Sequence, residues 1–156
     1  RERDNQKEFV LVSGEERDSG TDIVITQSDV RELQEAKAAI RTGIQILLET
    51  NKYSEKEIDR VIIAGAFGSY IDVVSAINIG ILPSLPLNRF YQVGNAAGIG
   101  ARLALISLNQ RNKAQSIASN INYIELANNP DFMDIFIETG YLGRYRIIQG
   151  KREEIK

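Results

Sequence analysis

The chain has 156 residues, 43% of them hydrophobic, which is enough to bury one core. Its 19 Lys and Arg residues are balanced by 21 Asp and Glu residues, and this net charge of -2 excludes the basic surface expected of a nucleic-acid-binding domain. Because cysteine and histidine are absent, the sequence excludes disulfides, thiolate or imidazole catalysis, the usual zinc sites and iron-sulfur ligation. We therefore expect one domain that holds no redox metal by itself.

No apolar run approaches the ~20 residues that a membrane span needs, and the charged segment 1–8 is unlike a signal peptide. We expect a cytoplasmic protein without a membrane partner. The charged segments 1–8 and 144–156 are predicted to be flexible ends around a domain at residues 9–141.

The first predicted elements are a hairpin and a long helix. Residues 9–12 and 22–26 are short, partly β-branched runs separated by a polar stretch that contains glycine, which indicates two strands. Thr26 and Asp29 have the spacing of a capping box, so we expect a helix at residues 28–49. Once position 37 is counted, its apolar residues recur at spacings of three and four and define one stripe: Val30, Leu33, Ile40, Ile44, Leu47 and Leu48.

The remaining elements alternate between strands and helices. A second capping-box pattern at residues 54–57 precedes the apolar run 61–64, which is typical of a buried strand. We then expect a short helix at 73–79, a strand at 90–93 and a helix rich in small residues at 95–108. Toward the end of the chain, the residue pattern predicts a helix at 113–120, a strand at 121–126 and a helix at 130–139. This order predicts an α/β domain with a mixed sheet and flanking helices.

The segment Gly65-Ala66-Phe67-Gly68 directly follows a predicted strand, where open α/β sheets bind their ligands. Its glycines would let the backbone approach a flat or anionic group, although a tight strand-to-helix turn without a ligand is the plainer interpretation. The segment matches neither the dinucleotide fingerprint nor the P-loop. The neighbouring Phe67 and Tyr70 could stack on a base or belong to the core, and we favour the core.

Lys37 falls inside the apolar stripe of the long helix. An ammonium at such a position costs free energy unless it extends to solvent or meets an anion. Lys37 could therefore reach the edge of the helix, pair with Glu32 or Glu35, or contact a ligand. The sequence leaves these alternatives open.

Two further features favour structural roles. The stretch from Gly94 to Ala101 could be a phosphate loop at a helix N-terminus, but its small residues are better explained by close packing against a neighbouring helix or lobe. The candidate acids are predicted to be helix caps or solvated surface groups: Asp29, Asp59, Asp72, Asp131 and Asp134.

Three segments together resemble the C-terminal region of the reductive activators of corrinoid proteins: residues 25–40, 63–72 and 93–98. Asn129-Pro130-Asp131-Phe132 extends this resemblance, which covers about residues 9–141. It implies a ribonuclease H-like fold, namely the C-terminal lobe of an actin-like ATPase from the superfamily of acetate and sugar kinases, heat-shock chaperones and actin. The lobe would be incomplete in this chain.

The resemblance also implies a nucleotide site. Gly65, Ala66, Phe67, Gly68 and Ser69 would form the adenosine motif of the superfamily. The helix at 28–49 would flank the base and ribose, and Lys37 would gain a nucleotide contact. The segment reads Gly-Ala-Phe-Gly, whereas a Gly-Gly pair is common in the superfamily. This difference affects the contacts that the segment would make to the base. The helix at 95–108 would be the connecting helix that packs between two lobes.

In the family, ATP drives the return of inactive cob(II)alamin to cob(I)alamin in a corrinoid protein. The resemblance therefore implies ATP and Mg²⁺ as cofactors of a longer protein and a [2Fe-2S] cluster on a part that is absent here. The implied partners are a corrinoid protein, an N-terminal ATPase lobe and a ferredoxin-like domain. Because the phosphate motifs of the superfamily are missing, we expect this chain to be inactive alone and to carry no catalytic residue.

Two other functions remain as alternatives. The same lobe could be a non-catalytic docking module that presents a surface to the corrinoid protein. A sugar or acid kinase lobe ranks last because no substrate pocket can be named. Apolar surface left by a missing lobe could also promote homodimers.

Overall fold

In residues 1–3 and 6–143, which the computed structural model describes apart from the side chain of Phe67, the chain forms two small sheets and six α-helices. The strands are β1 (Glu2–Arg3), β2 (Gln6–Val12), β3 (Ile23–Thr26), β4 (Val61–Ala64) and β5 (Phe90–Gly94). The helices are α1 (Gln27–Thr50), α2 (Phe67–Tyr70), α3 (Val73–Asn78), α4 (Ala96–Ile106), α5 (Leu108–Ala118) and α6 (Phe132–Thr139).

The predicted hairpin and long helix are confirmed. Strands β2 and β3 pair antiparallel with Phe9 opposite Ile25, and the short β1 extends this sheet. At the start of α1, the Thr26 hydroxyl accepts a hydrogen bond from the Asp29 N–H at 3.2 Å, and the Asp29 carboxylate accepts one from the Thr26 N–H at 2.7 Å. This reciprocal cap ends the strand and begins the helix at the same residue. Strand residues therefore occur within segment 1–8, whereas segment 144–156 lies outside the described residues.

Strands β4 and β5 are parallel, with Val61 opposite Phe90. Both were predicted from the sequence, but the expected burial of the first is wrong. Only Ile63 in β4 is buried, and the side chain of Ile62 is 65% exposed. A parallel strand is fully buried when layers cover both faces of its sheet. Within the described residues this sheet has two strands, and it is separate from the antiparallel sheet, so no single mixed sheet forms there.

The described residues after β5 form the three helices α4, α5 and α6. The predicted helix at 113–120 overlaps α5, which begins after the Ser107 cap and ends at Ala118, and the predicted helix at 130–139 corresponds to α6. The predicted strand at 121–126 is wrong, because this segment is irregular and leads into a 3-10 turn at Leu126–Asn128. Its side chains have strand-forming character, but no neighbouring strand pairs with its backbone among the described residues.

The core lies where α1 packs against α6, and it includes residues from the α3 region. Its buried apolar side chains include Ala38, Ile46, Ile77, Ile81 and Ile135. The predicted apolar stripe of α1 is not the face that packs, because several of its members are exposed: Leu33, Ile40 and Leu47. The buried face of α1 instead carries polar residues beside Ala38 and Ile46. Helix α6 reaches this face from ~100 residues downstream, so the periodicity within α1 could not identify it.

Within the described parts of the chain, none of the helices combines the length and the apolar composition needed to cross a membrane.

Candidate functional site

Two glycine turns meet at the carboxyl ends of β4 and β5. Gly65 follows β4 with φ +75°, and Gly94 ends β5 with φ +55°. The Gly65 N–H donates a hydrogen bond to the Gly94 carbonyl oxygen at 2.6 Å. Such positive φ values are readily adopted by glycine and rarely by other residues. The turn Gly65-Ala66-Phe67-Gly68 and the stretch that begins at Gly94 therefore form one edge, where parallel sheets commonly bind ligands.

Gly68 allows this edge to be compact. A Cβ atom on Gly68 would lie 2.9 Å from the Gly94 nitrogen and still closer to the Ile63 carbonyl oxygen. Only glycine therefore lets α2 lie directly against both strands. By contrast, a Cβ atom on Gly65 would meet no atom within 4 Å, so the turn itself is open to an approaching group. The glycines allow the tight strand-to-helix turn that the plainer interpretation predicted, and the surface at Gly65 stays accessible.

Side chains around the edge are held by neighbouring backbone. The Gln92 side-chain amide donates to the Ile71 carbonyl oxygen at 2.9 Å and so ties β5 to the end of α2. The Asn95 side chain caps α4 by accepting a hydrogen bond from the Gly98 N–H at 2.9 Å. Ala66 and Ser69 are exposed beside these contacts, and the backbone of Phe67 begins α2.

The edge contains no cation of its own. No Lys or Arg occurs at residues 61–88 or 90–101, which include both turns, α2 and the start of α4. The acid within these segments is Asp72, whose side chain caps α3, and hydrogen bonds from Ser75 lower the pKa of its carboxyl group. A glycine-lined edge without a cation suits the base and ribose of a nucleotide better than its phosphates, which are usually bound by Lys, Arg or a metal ion.

Lys37 lies in a different cluster. Its side chain is fully buried, and its ammonium donates hydrogen bonds to the carbonyl oxygens of Thr139, at 2.6 Å, and Tyr141. Burial, and secondarily the positive charge of Arg41, lower the pKa of Lys37. The ammonium therefore neither extends to solvent nor hydrogen-bonds to Glu32 or Glu35. Its predicted contact with a nucleotide stays a prediction.

The cluster around Lys37 is polar and was not predicted. The buried guanidinium of Arg41 forms an ion pair with Glu55, whose other oxygen accepts a hydrogen bond from the Ser84 N–H at 2.6 Å. The hydroxyls of Thr42 and Thr139 lie 3.0 Å apart. The available signal was the recurrence of polar residues at every fourth position, 37, 41 and 45, because residues with this spacing share one face of a helix.

The remaining candidates divide between caps and exposed surface. Asp29 and Asp72 are caps, as predicted, and the other acids are exposed: Asp59, Asp131 and Asp134. Helix α4 packs against α5, but none of its residues is buried. The packing of α4 against a second lobe stays a prediction. In the described part of the chain, no three acidic side chains gather as a metal site would require.

A hollow of about 600 Å³ opens between the hairpin and the start of α1, away from the glycine turns. Apolar and charged side chains both line it, including Phe9, Ile25, Val30, Arg1 and Glu8. The Arg1 side chain is already paired with Glu8 and Asp22. The Arg1 guanidinium is therefore not available to bind a ligand in this hollow.

The family model described as the C-terminal domain of RACo, the ASKHA domain, matches residues 1–147. The chain belongs to this family. The predicted fold class is thereby confirmed: the RACo C-terminal domain has the actin-like ASKHA fold, an α/β fold, and the predicted resemblance to corrinoid activators is correct.

Two relatives place the RACo C-terminal domain within longer proteins. The chain is 39% identical over 142 residues to the "Corrinoid activation enzyme RamQ" of Eubacterium limosum, covering 91% of this chain and 24% of that protein. It also matches a solved structure of a "Reductive activator for corrinoid,iron-sulfur protein" with a TM-score of 0.79 and 41% identity, covering 91% of this chain and 23% of that one. The chain thus spans about a quarter of the length of these relatives.

Proposed function

We propose that this chain is the nucleotide-binding C-terminal lobe of an ATP-dependent activator that returns cob(II)alamin to cob(I)alamin in a corrinoid protein. The observation that carries the proposal is the hydrogen bond between Gly65 and Gly94, which joins two glycine turns at the carboxyl edge of a parallel sheet. Family membership supports the same assignment, since the names of the two relatives refer to corrinoid activation.

The lobe would bind the nucleoside part of ATP. The exposed backbone of Gly65 and Ala66 allows close approach, Gly68 holds the turn against the strands, and Phe67 and Ser69 complete the segment. Because this edge lacks cations, the phosphates and Mg²⁺ would be bound by residues of a longer protein. Hydrolysis of the bound ATP to ADP and phosphate, or release of these products, would change the relative position of two lobes.

The [2Fe-2S] cluster does not fit this chain. Cluster irons are bound mainly by cysteine thiolates, and the sequence has no cysteine. The cluster would therefore belong to another part of the protein. Electron transfer to cobalt would use that part, while this lobe would respond to nucleotide.

A docking module is the second candidate, and the exposed apolar residues where α4 ends and α5 begins favour it. Leu105, Ile106 and Leu108 are each more than 70% exposed. A helix that is apolar on most of its faces is usually covered by other structure. In this function the α4 and α5 surface would contact the corrinoid protein, and nucleotide binding would not be required.

Calorimetric titration with ATP and ADP in the presence of Mg²⁺ separates the two functions. It should be performed on this chain and on a longer protein that contains it. We expect binding by the longer protein that is abolished by Gly65→Val, because φ +75° disfavours a β-branched side chain. Gly100→Ala is the matched control, since its Cβ would meet no atom within 4 Å. Unchanged affinity in the Gly65 variant, or no binding by either protein, would favour the docking module.

A further inference from the structure

Tyr70 is an aromatic side chain with no structural role in the described part of the chain. Its side chain is 89% exposed, so the sequence-based preference for a core position is wrong. Two of the other exposed tyrosines have side-chain partners: the guanidinium of Arg60 lies 5.8 Å from the ring centre of Tyr91, and the Tyr123 hydroxyl donates to Glu125 at 2.7 Å. Packing therefore does not explain why the edge carries this ring.

The backbone of Tyr70 is nevertheless fixed close to the glycine turns. The N–H groups of Ser69 and Tyr70 both donate to the Ala66 carbonyl oxygen, at 3.0 and 3.2 Å. The following residue, Ile71, accepts the hydrogen bond from Gln92. Gly68, two residues earlier, lies so close to both strands that a Cβ atom there would meet the Ile63 and Gly94 backbone. The ring is thus attached to an ordered single turn of helix that begins at the candidate site.

The chemistry of the edge restricts what the ring could contact. With no Lys or Arg in segments 61–88 and 90–101, the surroundings of Tyr70 favour an uncharged, flat ligand group over a phosphate. An exposed aromatic ring offers such a group a large contact area, and nucleobases stack on aromatic side chains. Stacking would also remove an exposed apolar ring from water.

We propose that Tyr70 stacks on the base of the nucleotide bound at the Gly65 and Gly94 turns. This inference rests on the proposed function, because it requires a nucleotide at that edge. It adds a base-binding residue outside the glycine segment and gives it one role, contact with the base. Because every nucleobase has an aromatic face, Tyr70 contributes affinity and only weak discrimination between adenine and guanine.

The test compares ligands with and without a base. AMP and ribose 5-phosphate are titrated at up to millimolar concentration into the longest form of the protein that binds ATP, and into its Tyr70→Ala, Tyr70→Phe and Tyr123→Ala variants. We expect Tyr70→Ala to weaken AMP binding roughly five- to a hundredfold and to leave ribose 5-phosphate binding unchanged. Tyr70→Phe keeps the ring and should bind AMP within about twofold of wild type. Tyr123→Ala removes a different exposed tyrosine and should have no effect.

Each result bears on one of the two proposals. If Tyr70→Ala binds AMP as the wild type does while Gly65→Val does not, the stacking role is overturned and the nucleotide site stands. Equal losses of AMP and ribose 5-phosphate binding in Tyr70→Ala would show a role in the fold of the site and would also overturn stacking. If the wild type binds neither ATP nor AMP, both proposals fail. Circular dichroism of the variants checks that the fold is retained.

Discussion

The α1–α6 region and the β4–β5–α4 region of this chain differ in which side chains they bury and which they expose. Where α1 meets α6, even cations are buried, and Lys37 and Arg41 have oxygen partners within the chain. In the β4–β5–α4 region, apolar side chains such as Ile62 and Leu105 are exposed, and α4 contributes no buried residue. The first region uses its polar groups for internal structure, and the second presents apolar groups outward.

This difference indicates where function should be sought. Buried polar groups with partners inside the chain hold elements together, whereas an open edge lined by glycines and exposed apolar residues is suited to binding. Lys37 was the most conspicuous functional candidate in the sequence, yet its described contacts are structural. Substitutions in the two regions should therefore differ in whether they change stability or binding.

The largest expected effect is at the contact between α2 and the strands. In Gly68→Ala the new methyl group would overlap backbone atoms of Ile63 and Gly94, so we expect the free energy of unfolding to fall by about 3 kcal/mol. Gly100→Ala is the control and should raise it by roughly 0.5 to 1 kcal/mol, since alanine favours the helix. Urea denaturation followed by circular dichroism measures both. A tolerated Gly68→Ala would show that the edge is loosely packed.

The next largest effect should follow removal of the buried ammonium. Lys37→Met leaves the Thr139 and Tyr141 carbonyls without their donor, which should reduce the free energy of unfolding by about 2 kcal/mol. Lys113→Met removes an exposed ammonium and should change it little.

The pH dependence provides a second measurement of Lys37. Its pKa is lowered in the folded state, so the charged form is penalised by folding. The unfolding free energy of the wild type should therefore rise as pH increases from that lowered value toward the ordinary lysine pKa of about 10.4. Lys37→Met should lose this rise. A nucleotide affinity that falls in Lys37→Met while stability is unchanged would instead restore its predicted role in binding.

Helix caps give a smaller, directly matched comparison. Thr26→Ala removes the cap of α1, which packs in the core, and should lower the unfolding free energy by about 1 kcal/mol. Asn95→Ala removes the cap of α4, which buries nothing, and should lower it by less than about 0.5 kcal/mol. Hydrogen exchange should show fast opening of α4 in both variants. Equal losses would mean that α4 unfolds together with the core.

The smallest effect per residue is expected in acid. Hydrogen bonds lower the pKa of four carboxyl groups: Asp22, Asp29, Glu57 and Asp72. A lowered pKa in the folded state gives stability that is present at neutral pH and lost as the pH falls below about 4. Melting temperatures measured between pH 7 and 3 should therefore decline at the acid end, and Asp29→Asn should decline less steeply. A flat wild-type profile would contradict this account.

Local signals were sufficient to predict most of the elements. The capping box at Thr26 and Asp29 located the start of α1, and β-branched runs located the hairpin and β4. The glycine segment after β4 was also located correctly, because a strand followed by Gly65 requires a turn. These features depend on neighbouring residues, which a sequence displays directly.

Features that depend on distant residues could not be predicted. The buried face of α1 is set by α6, and the predicted strand at 121–126 did not form because pairing requires a neighbouring strand. The exposure of Tyr70 likewise depends on which elements cover the parallel sheet. For the candidate site, the sequence located the glycines but could not show that Gly94 hydrogen-bonds to Gly65, 29 positions earlier in the numbering.

The partners of Lys37 lie 102 and 104 positions later in the chain, and this spacing has a consequence for synthesis on the ribosome. When α1 emerges, neither carbonyl group has been made, so the ammonium must remain hydrated until α6 and Tyr141 follow. The face of α1 that carries Lys37 therefore cannot close before residue 141 has been made. While residues 51–141 are being made, this helix would stay open to water and to chaperones, and the domain would complete its core only after Tyr141 has been added.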